Sequence, residues 1–564
     1  MRPPDLPLLT AAQARAADAS AVAAGDTYDT LMARAAGHLA RTVLEVAGRA
    51  AGLRVDVVVG RGDNGGDGWA VAPLLAARGV HVRVLAPDGI EHEASDASAR
   101  ARRRWLAAGG TVRTGPVTPH LAPHLAPHLG PERVADVVVD CLLGTGASGP
   151  LRGSVVEAVA AIHAARARGA RVVACDVPSG VCADDGTVAD GAIIADATVT
   201  FGALKRGLLL APASSHCGDL SIGRLGPRFA APSGDAVERW WALSADDARP
   251  EPADPLTEKR RRGVVLVVAG RAGSAGAAVL AGRGALAAGA GLVTLAVPEP
   301  VRAEAAGLHP ALMTVGLPAD TDGALHADAV HALPLDHVDA VVAGPGLGTG
   351  PGAAAVIEQL RARCPRLVLD ADGLNVHRDA PGTLADHPRE PGSTLVLTPH
   401  ARELDRIGGD GTYLARAVRV PELARRLDAH GVAKGPGTLS AAPDGTVHVS
   451  PFDVGALATA GTGDVLAGMI GATLAAGSAR HAAGAADDVA RAIARTVWWH
   501  AAAGRLAGSR SADHVDALAV LAALPQVLAQ LAALRPVRDP GPSGRVSLAA
   551  LLDVTRDADT RGIA

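Results

Sequence analysis

The sequence predicts a two-domain α/β protein in which each domain is a parallel sheet wound with helices. Three observations predict it. Short apolar runs of strand length recur along the 564 residues, separated by alanine-rich stretches of helix length. Glycine-rich turns follow several of those runs, where a strand passes into a helix. One stretch rich in proline and charge, "SADDARPEPADPLTEKRRRG" (244–263), divides the series in two.

Composition supports that class and narrows the function. Hydrophobic residues make up 48% of the chain and charged residues 20%, enough apolar material for two cores. The formal net charge is −4, with acids and bases interspersed, so neither nucleic acid nor an anionic membrane is an expected partner. The five cysteines (Cys141, Cys175, Cys182, Cys217, Cys364) are scattered and form no C-x-x-C pair. Neither a disulfide framework nor a structural zinc site is expected, and a cytoplasmic location fits. The opening "MRPPDLPLLT" lacks the pattern of a secretory leader, and no apolar run is long enough to cross a bilayer.

In chain order, residues 10–48 are alanine-rich with Leu31, Leu39 and Leu44 at helical spacing. Strands are expected over 55–59, 80–85, 134–139, 171–175 and 197–201, which makes 1–243 a doubly wound, Rossmann-like domain. Residues 244–262 read as a linker. The second series has strands over 264–269, 292–297, 340–343, 367–369 and 394–398 and closes with helices from Asp464 onward, giving a domain over 263–534. From 535 to 564 the chain turns polar, with prolines and glycines, and reads as a flexible tail. In "PHLAPHLAPHLG" (119–130) the three histidines His120, His124 and His128 stand four apart, but Pro123 and Pro127 deny a helix its hydrogen bonds. It reads as a low-complexity insertion rather than a metal site.

The first candidate site begins at "RGDNGGDGWA" (61–70). With Gly60 it matches G-x-G-x-x-G, yet Asp63 and Asp67 stand where a pyrophosphate would sit. Unit charges about 4 Å apart repel by about 4 kcal/mol at intermediate dielectric, so the loop favours a cation or a hydroxyl-rich group. "VVVDCLLGTGASG" (137–149) ends a strand at Asp140 and turns at Gly144, Thr145 and Gly146, and "CDVPSGV" (175–181) places Asp176 and Ser179 at the next strand end. Carboxyl ends of parallel strands line one crevice, so these residues can converge with Asn64. Oxygens from Asn64, Asp140 and Ser179 suit a hard cation, leaving Asp176 for proton transfer. Turn and helix-capping roles are the plainer alternative for each residue alone.

The second candidate site centres on "TAGTGDVLAGMIGATLAAG" (459–477). Gly461 and Gly463 free N–H groups at the start of an apolar helix, and Asp464 stands beside them, an arrangement suited to phosphoryl transfer. "VAKGPGT" (432–438) sets Lys434 among glycines, "LDADGLN" (369–375) groups Asp370, Asp372 and Asn375, and "LTPHARE" (397–403) supplies His400 and Glu403. Lysine occurs only at Lys205, Lys259 and Lys434, which hints that a compact ammonium is needed at those places.

In order, N-x-G-G-D-G, D-x-L-L-G-T-G and D-V-P-S-G, with "LMARAAG" (31–37) ahead of them, resemble the NAD(P)H-hydrate epimerase domain over about 9–243. G-P-G-L-G (344–348), D-A-D-G-L-N, T-P-H-x-x-E, K-G-x-x-T and A-G-T-G-D resemble the ADP-dependent NAD(P)H-hydrate dehydratases, of ribokinase-like α/β/α fold, over about 262–532. The resemblance implies a bifunctional isomerase and lyase that repairs the hydrates NADHX and NADPHX. It implies epimerase substrate contacts at Asp63, Asn64, Gly65, Gly66, Asp67, Gly144, Thr145, Gly146 and Asp176, with potassium at Asn64, Asp140 and Ser179. In the dehydratase it implies substrate contacts at Ala277, Gly346, His400 and Asp464, and nucleotide contacts at Lys434, Gly435, Pro436, Gly437, Thr438 and Gly463. Asp176 and Asp464 would be catalytic, ADP the co-substrate, magnesium its companion, and a homo-oligomer the expected assembly. Two departures stand out: Asp63 where the family has asparagine, and "GSAGAA" (273–278) without the usual aromatic residue. The alternative is a small-alcohol or vitamin kinase of the same superfamily fused to a non-catalytic nucleotide-binding domain.

Overall fold

The computed structural model describes residues 6–90, 95–117, 135–230, 239–252, 256–384, 392–408, 413–482, 489–511, 513–534 and 544–553. The histidine repeat at 119–130 lies outside them. Two compact units emerge, one of residues 6–237 with the described residues 544–553, the other built on 239–534.

In the first unit the strands are β1 (Leu6–Leu9), β2 (Arg54–Val59), β3 (His81–Ala86), β4 (Val112–Thr114), β5 (Val137–Cys141), β6 (Arg171–Cys175), β7 (Ala197–Phe201), β8 (Leu204–Lys205) and β9 (Asp219–Gly223). β1 and β8 form a parallel pair, while the main sheet runs β9-β7-β6-β5-β2-β3-β4, all parallel. Side chains alternate between its faces. Val137, Val139 and Cys141 pack under helices Tyr28–Ala47 and Asp63–Ala76, and Val138 packs with Ile162 and Ala165 of helix Ser154–Ala167 on the other face. Burial on both faces explains why the strands read as continuous apolar runs.

The alanine-rich opening is two helices, not one. Thr10 and Gln13 form a capping box for Ala11–Ala23, Gly25 at φ +104° breaks the chain, and Thr27 caps Tyr28–Ala47 by accepting from Thr30 N–H.

In the second unit the strands are β10 (Trp240–Ala242), β11 (Val264–Val268), β12 (Leu292–Pro298), β13 (Met313–Leu317), β14 (Ala340–Ala343), β15 (Arg366–Leu369), β16 (Thr394–Leu397), β17 (His430–Ala433), β18 (Leu439–Ala441) and β19 (Val447–Val449). They lie in the order β13-β12-β11-β14-β15-β16-β17-β18-β19-β10, parallel up to β17 and then antiparallel through β18 and β19. Helix Thr462–Ala482 packs closely on helix Ala275–Ala287: a Cβ on Gly468 would stand 1.8 Å from the Ala281 carbonyl oxygen, and one on Gly284 2.3 Å from that of Val465.

Two expected boundaries differ. The linker was expected to start at 244 and the first domain to include 239–243. Instead β10 pairs with β19, Trp498 and Trp499 donate their indole N–H to the carbonyls of Leu243 and Ala248, and Arg491 pairs with Asp247 at 3.0 Å. Two buried tryptophans in need of acceptors draw this polar stretch onto the second unit. The tail expected to be flexible from 535 contains β20 (Arg545–Ser547), antiparallel to β9 of the first unit. Arg545 holds it there by bonding Glu45 and the hydroxyls of Thr42 (2.8 Å) and Ser221 (3.3 Å). A strand of three residues is too short for a period-two signal to be read from sequence.

Candidate active sites

β2 and β5 are neighbours although two strands separate them in sequence, so the winding of the sheet reverses there and a crevice opens beyond their carboxyl ends. Two loops enter it. A Cβ on Gly60 would stand 1.9 Å from the Leu142 carbonyl oxygen, and one on Gly65 2.0 Å from that of Gly60, so glycine is required for the loops to meet. Residues 63–67 form the first turn of helix Asp63–Ala76 rather than a loop ahead of it. Gly144, at the second turn, lies against Asn64, 3.1 Å from its Cβ to the place a Gly144 Cβ would occupy.

A set of oxygens sits between the loops. Asp140 is fully buried and accepts from Ser179 N–H (2.8 Å), Ser179 Oγ (2.6 Å) and Leu142 N–H (3.2 Å). Burial nonetheless holds its carboxyl above the ordinary 3.8, the bonds from Ser179 opposing the rise. Ser179 Oγ accepts from Leu143 N–H at 3.0 Å, and Asn64 Nδ2 donates to the Leu143 carbonyl at 2.8 Å. That bond fixes Asn64 so that its Oδ1 is buried with no partner. An orphaned amide oxygen beside a buried carboxylate and a hydroxyl is the donor chemistry of a hard monovalent cation.

Asp176 stands at the next strand end with φ +64°, a conformation that costs energy in a non-glycine residue and is found at functional sites. Its Oδ1 accepts from Thr200 Oγ1 (2.9 Å), Phe201 N–H (3.0 Å) and Lys205 Nζ (2.5 Å). Lys205 is 2% exposed and also donates to the Phe201 carbonyl (2.8 Å) and Thr200 Oγ1 (3.0 Å). Burial pushes the Asp67 carboxyl well above the carboxylate range, and the charges of Asp176, Asp63 and Asp18 add to it. Asp18 is raised to about 6, chiefly by burial, and its Oδ1 is buried without a partner. Three acids thus share one lysine.

Of the residues expected at this site, the structure gathers Asn64, Asp67, Gly144 and Asp176 from the substrate contacts and Asp140 and Ser179 from the potassium ligands. Asp63 is exposed and takes a bond from the Ser95 hydroxyl, while Thr145 is half-buried and Gly146 exposed. Gly65 and Gly66 serve packing; a Cβ on Gly66 would meet Met32 at 2.6 Å. Sequence reasoning missed Asp18, which sits in an alanine-rich helix with no motif around it.

In the second unit, the loops after β15 and β16 bring two carboxylates, Asp370 and Glu403, to one lysine from the loop after β17. Lys434 Nζ bonds Asp370 Oδ1 at 2.6 Å and lies 3.9 Å from Glu403 Oε2. Burial lowers the Lys434 ammonium, but Asp370 and Glu403 outweigh it and hold it above its ordinary value. Asp370 is 1% exposed and also accepts from Thr398 Oγ1 at 2.7 Å. Glu403, raised by burial, caps its own helix by accepting from His400 N–H (2.8 Å), and His400 Nδ1 accepts from Arg402 and Glu403 N–H in return. His400 Nε2 stands 3.3 Å from Glu403 Oε1 on a half-exposed ring.

Asp464 occupies the first turn of helix Thr462–Ala482 and is raised to about 7, by burial first and then by Asp370. The N–H groups of Gly463 and Asp464 bond no acceptor among the described residues, and Gly463 faces the Lys434 ammonium, 3.2 Å from where its Cβ would be. His500 fixes this turn by bonding the Thr462 carbonyl at 2.9 Å. Burial lowers its pKa to about 4, so the ring is neutral and Nε2 carries the donated proton. Across the sheet, Ala277 and Gly346 come into contact, with 3.1 Å from the Ala277 Cβ to the place of a Gly346 Cβ. Asp372 accepts from Gly348 N–H (2.8 Å) and Asn375 Nδ2 (3.2 Å), which anchors the G-P-G-L-G loop. His500 is the residue the motifs did not point to.

Comparison with known proteins matches both units. The family description "NAD(P)H-hydrate dehydratase" matches residues 265–526, and "YjeF-related protein N-terminus" matches 28–207. The bifunctional NAD(P)H-hydrate repair enzyme of Salinibacter ruber is 35% identical over 512 residues, covering 86% of this chain and 91% of the relative. That of Escherichia coli is 32% identical, covering 74% of this chain and 75% of the relative. Among solved structures, an ADP/ATP-dependent NAD(P)H-hydrate dehydratase from Bacillus subtilis, co-crystallised with ATP and Mg2+, is 27% identical with a TM-score of 0.43, covering 51% of this chain and 96% of that one. Identity at this level over nearly the full length of the relatives shows that the chain belongs to the family of bifunctional NAD(P)H-hydrate repair enzymes.

Proposed function

We propose that the two units perform successive steps in the repair of hydrated NADH and NADPH, the first interconverting the R and S epimers and the second dehydrating the S epimer. The observation that carries this reading is the repeated design of the two sites, each a lysine–carboxylate pair at the carboxyl ends of parallel strands with one partner buried, Lys205 in the first and Asp370 in the second.

Hydration of an enamine places the hydroxyl on the ring carbon next to nitrogen. In the first site Asp176, held by Lys205, accepts the hydroxyl proton as the carbon–nitrogen bond opens and returns it after closure on the opposite face. Asp67, whose carboxyl burial pushes well above the ordinary carboxylate range, is the matching proton donor. Asn64, Asp140 and Ser179 would hold a potassium ion, which supplies fixed positive charge for the substrate's phosphates.

In the second site Asp464 accepts the proton of the S hydroxyl as that oxygen attacks the terminal phosphorus of ADP. The free N–H groups of Gly463 and Asp464, with Lys434 beside them, stabilise the charge that develops on the transferred group. AMP leaves, phosphate, a far better leaving group than hydroxide, is expelled as the ring nitrogen pushes in to give an iminium, and loss of a proton from the neighbouring ring carbon to phosphate or water restores the ring double bond. Ala277, Gly346 and His400 contact the nicotinamide substrate, and 434–438 the nucleotide. Magnesium enters with the nucleotide phosphates, because this cation prefers its own waters and phosphate oxygens to a protein cage.

Stoichiometry tests the reading. With the S epimer of hydrated NADH, ADP and magnesium, each reduced nicotinamide restored should appear with one AMP and one free phosphate. A phosphorylated acceptor with no free phosphate would make the second unit a small-alcohol kinase instead.

A further inference from the structure

Helix Tyr413–Leu427 carries Arg416, a guanidinium only 2% exposed. Its Nη1 donates to the Lys434 carbonyl at 3.2 Å, and its Nη2 to the carbonyls of Pro436 (2.7 Å) and Gly437 (3.0 Å). The remaining carbonyl of the loop, Gly435, accepts from Thr438 Oγ1 at 2.8 Å. Three of the four carbonyls from 434 to 437 are therefore drawn to the Arg416 side.

A trans peptide points its carbonyl and its N–H in opposite directions. The three carbonyls held by Arg416 belong to the peptide planes that carry the N–H groups of Gly435, Gly437 and Thr438. Those three N–H groups bond no acceptor among the described residues, whereas Lys434 N–H is taken by the Pro399 carbonyl at 2.9 Å. Gly435 at φ +140° and Gly437 at φ +58° permit this backbone path. The loop thus presents three donors, without an acceptor among the described residues, on the side away from a buried cation, which is the polarity an anion requires.

We propose that Arg416 is a positioning residue that aims the 435–438 N–H groups at the phosphates of a nucleoside diphosphate. The proposal rests on the reading that this unit uses a nucleotide, and it adds a determinant that contacts neither substrate. Arg416 acts through geometry as well as charge: lysine keeps the charge, but its donors radiate from one nitrogen and do not reproduce the planar fork by which Nη1 and Nη2 reach separate carbonyls.

The test measures binding of ADP and of adenosine to the full-length protein by calorimetry, for the parent, Arg416→Met and Arg416→Lys. Epimerase activity in the same chain serves as the control for folding. Both variants should bind ADP at least about tenfold more weakly, the scale of losing charge-assisted hydrogen bonds, and bind adenosine within about twofold of the parent. The KM for ADP should rise while that for the hydrate stays put. Unchanged ADP affinity, or equal weakening of ADP and adenosine, overturns the proposal, because the loop is then either unaffected or simply misfolded. A parent that binds ADP no better than adenosine overturns the nucleotide reading first and the proposal with it.

Discussion

Replacing Asp464 by asparagine should abolish dehydration and at the same time stabilise the second unit. Burial and the neighbouring Asp370 raise this carboxyl from 3.8 to about 7. The folded state therefore keeps a proton that the unfolded chain releases, and stability falls as pH rises from about 4 to about 7. At about 1.36 kcal/mol per pH unit, that interval sets a ceiling of about 4 kcal/mol on the cost of ionising Asp464 in place. Partial exposure and relaxation reduce it, so a gain of about 2 kcal/mol at pH 8 is the working figure. Asparagine keeps the shape and carries no such cost. Thermal melts from pH 5 to 9, with the second unit's transition identified by its shift on adding ADP, should show the variant's advantage growing with pH and levelling above about 7. Turnover of the S epimer should fall by at least about a thousandfold, as expected for a lost catalytic base. In the parent, kcat/KM should climb with pH to a plateau above about 7. A variant no more stable than the parent at pH 8, or one that retains turnover, refutes the assignment.

Lys205→Met leaves Asp176 as a half-buried carboxylate without its cation, so epimerisation should drop by about a hundredfold or more while dehydration of pure S substrate is unaffected; equal loss of both activities would contradict this. Potassium chloride should raise the melting temperature of the first unit, by an amount that corresponds to about 2.7 kcal/mol at a hundred times Kd, and Asn64→Leu or Ser179→Ala should remove that increment. A rise that survives in both variants would move the ion elsewhere. Ending the chain after residue 543 removes β20, so the first unit should melt lower while the ADP-shifted transition stays in place.

The sequence revealed the sites better than their surroundings. Strands buried on both faces read as apolar runs, and the glycines that follow them, such as Gly60, Gly144 and Gly463, mark places where backbones approach too closely for a Cβ. Asp140, Asp176, Lys434 and Asp464 were therefore legible as strand-end or helix-start chemistry. What the sequence could not show is reach. Asp18 joins Asp67, Asp176 and Lys205 from a distant alanine-rich helix, and Arg416 and His500 support the second site from helices with no motif. Their roles arise from tertiary packing, which leaves no periodic trace. The linker and tail misled for a related reason: prolines and charges signal loops, but Trp498, Trp499 and Arg545 bind such segments through single hydrogen bonds and ion pairs.

The central claim, two different reactions in two units of one chain, is tested most directly by giving an equilibrated mixture of hydrated NADH epimers, with ADP and magnesium, to the parent, Asp176→Asn and Asp464→Asn. The return of reduced-nicotinamide absorbance is then followed. The parent should restore all of the substrate faster than the epimers exchange spontaneously, Asp176→Asn should stop once the S epimer is consumed, and Asp464→Asn should restore none. Complete restoration by Asp176→Asn at the parent's rate, or restoration by Asp464→Asn faster than about a thousandth of the parent's rate, would contradict the account.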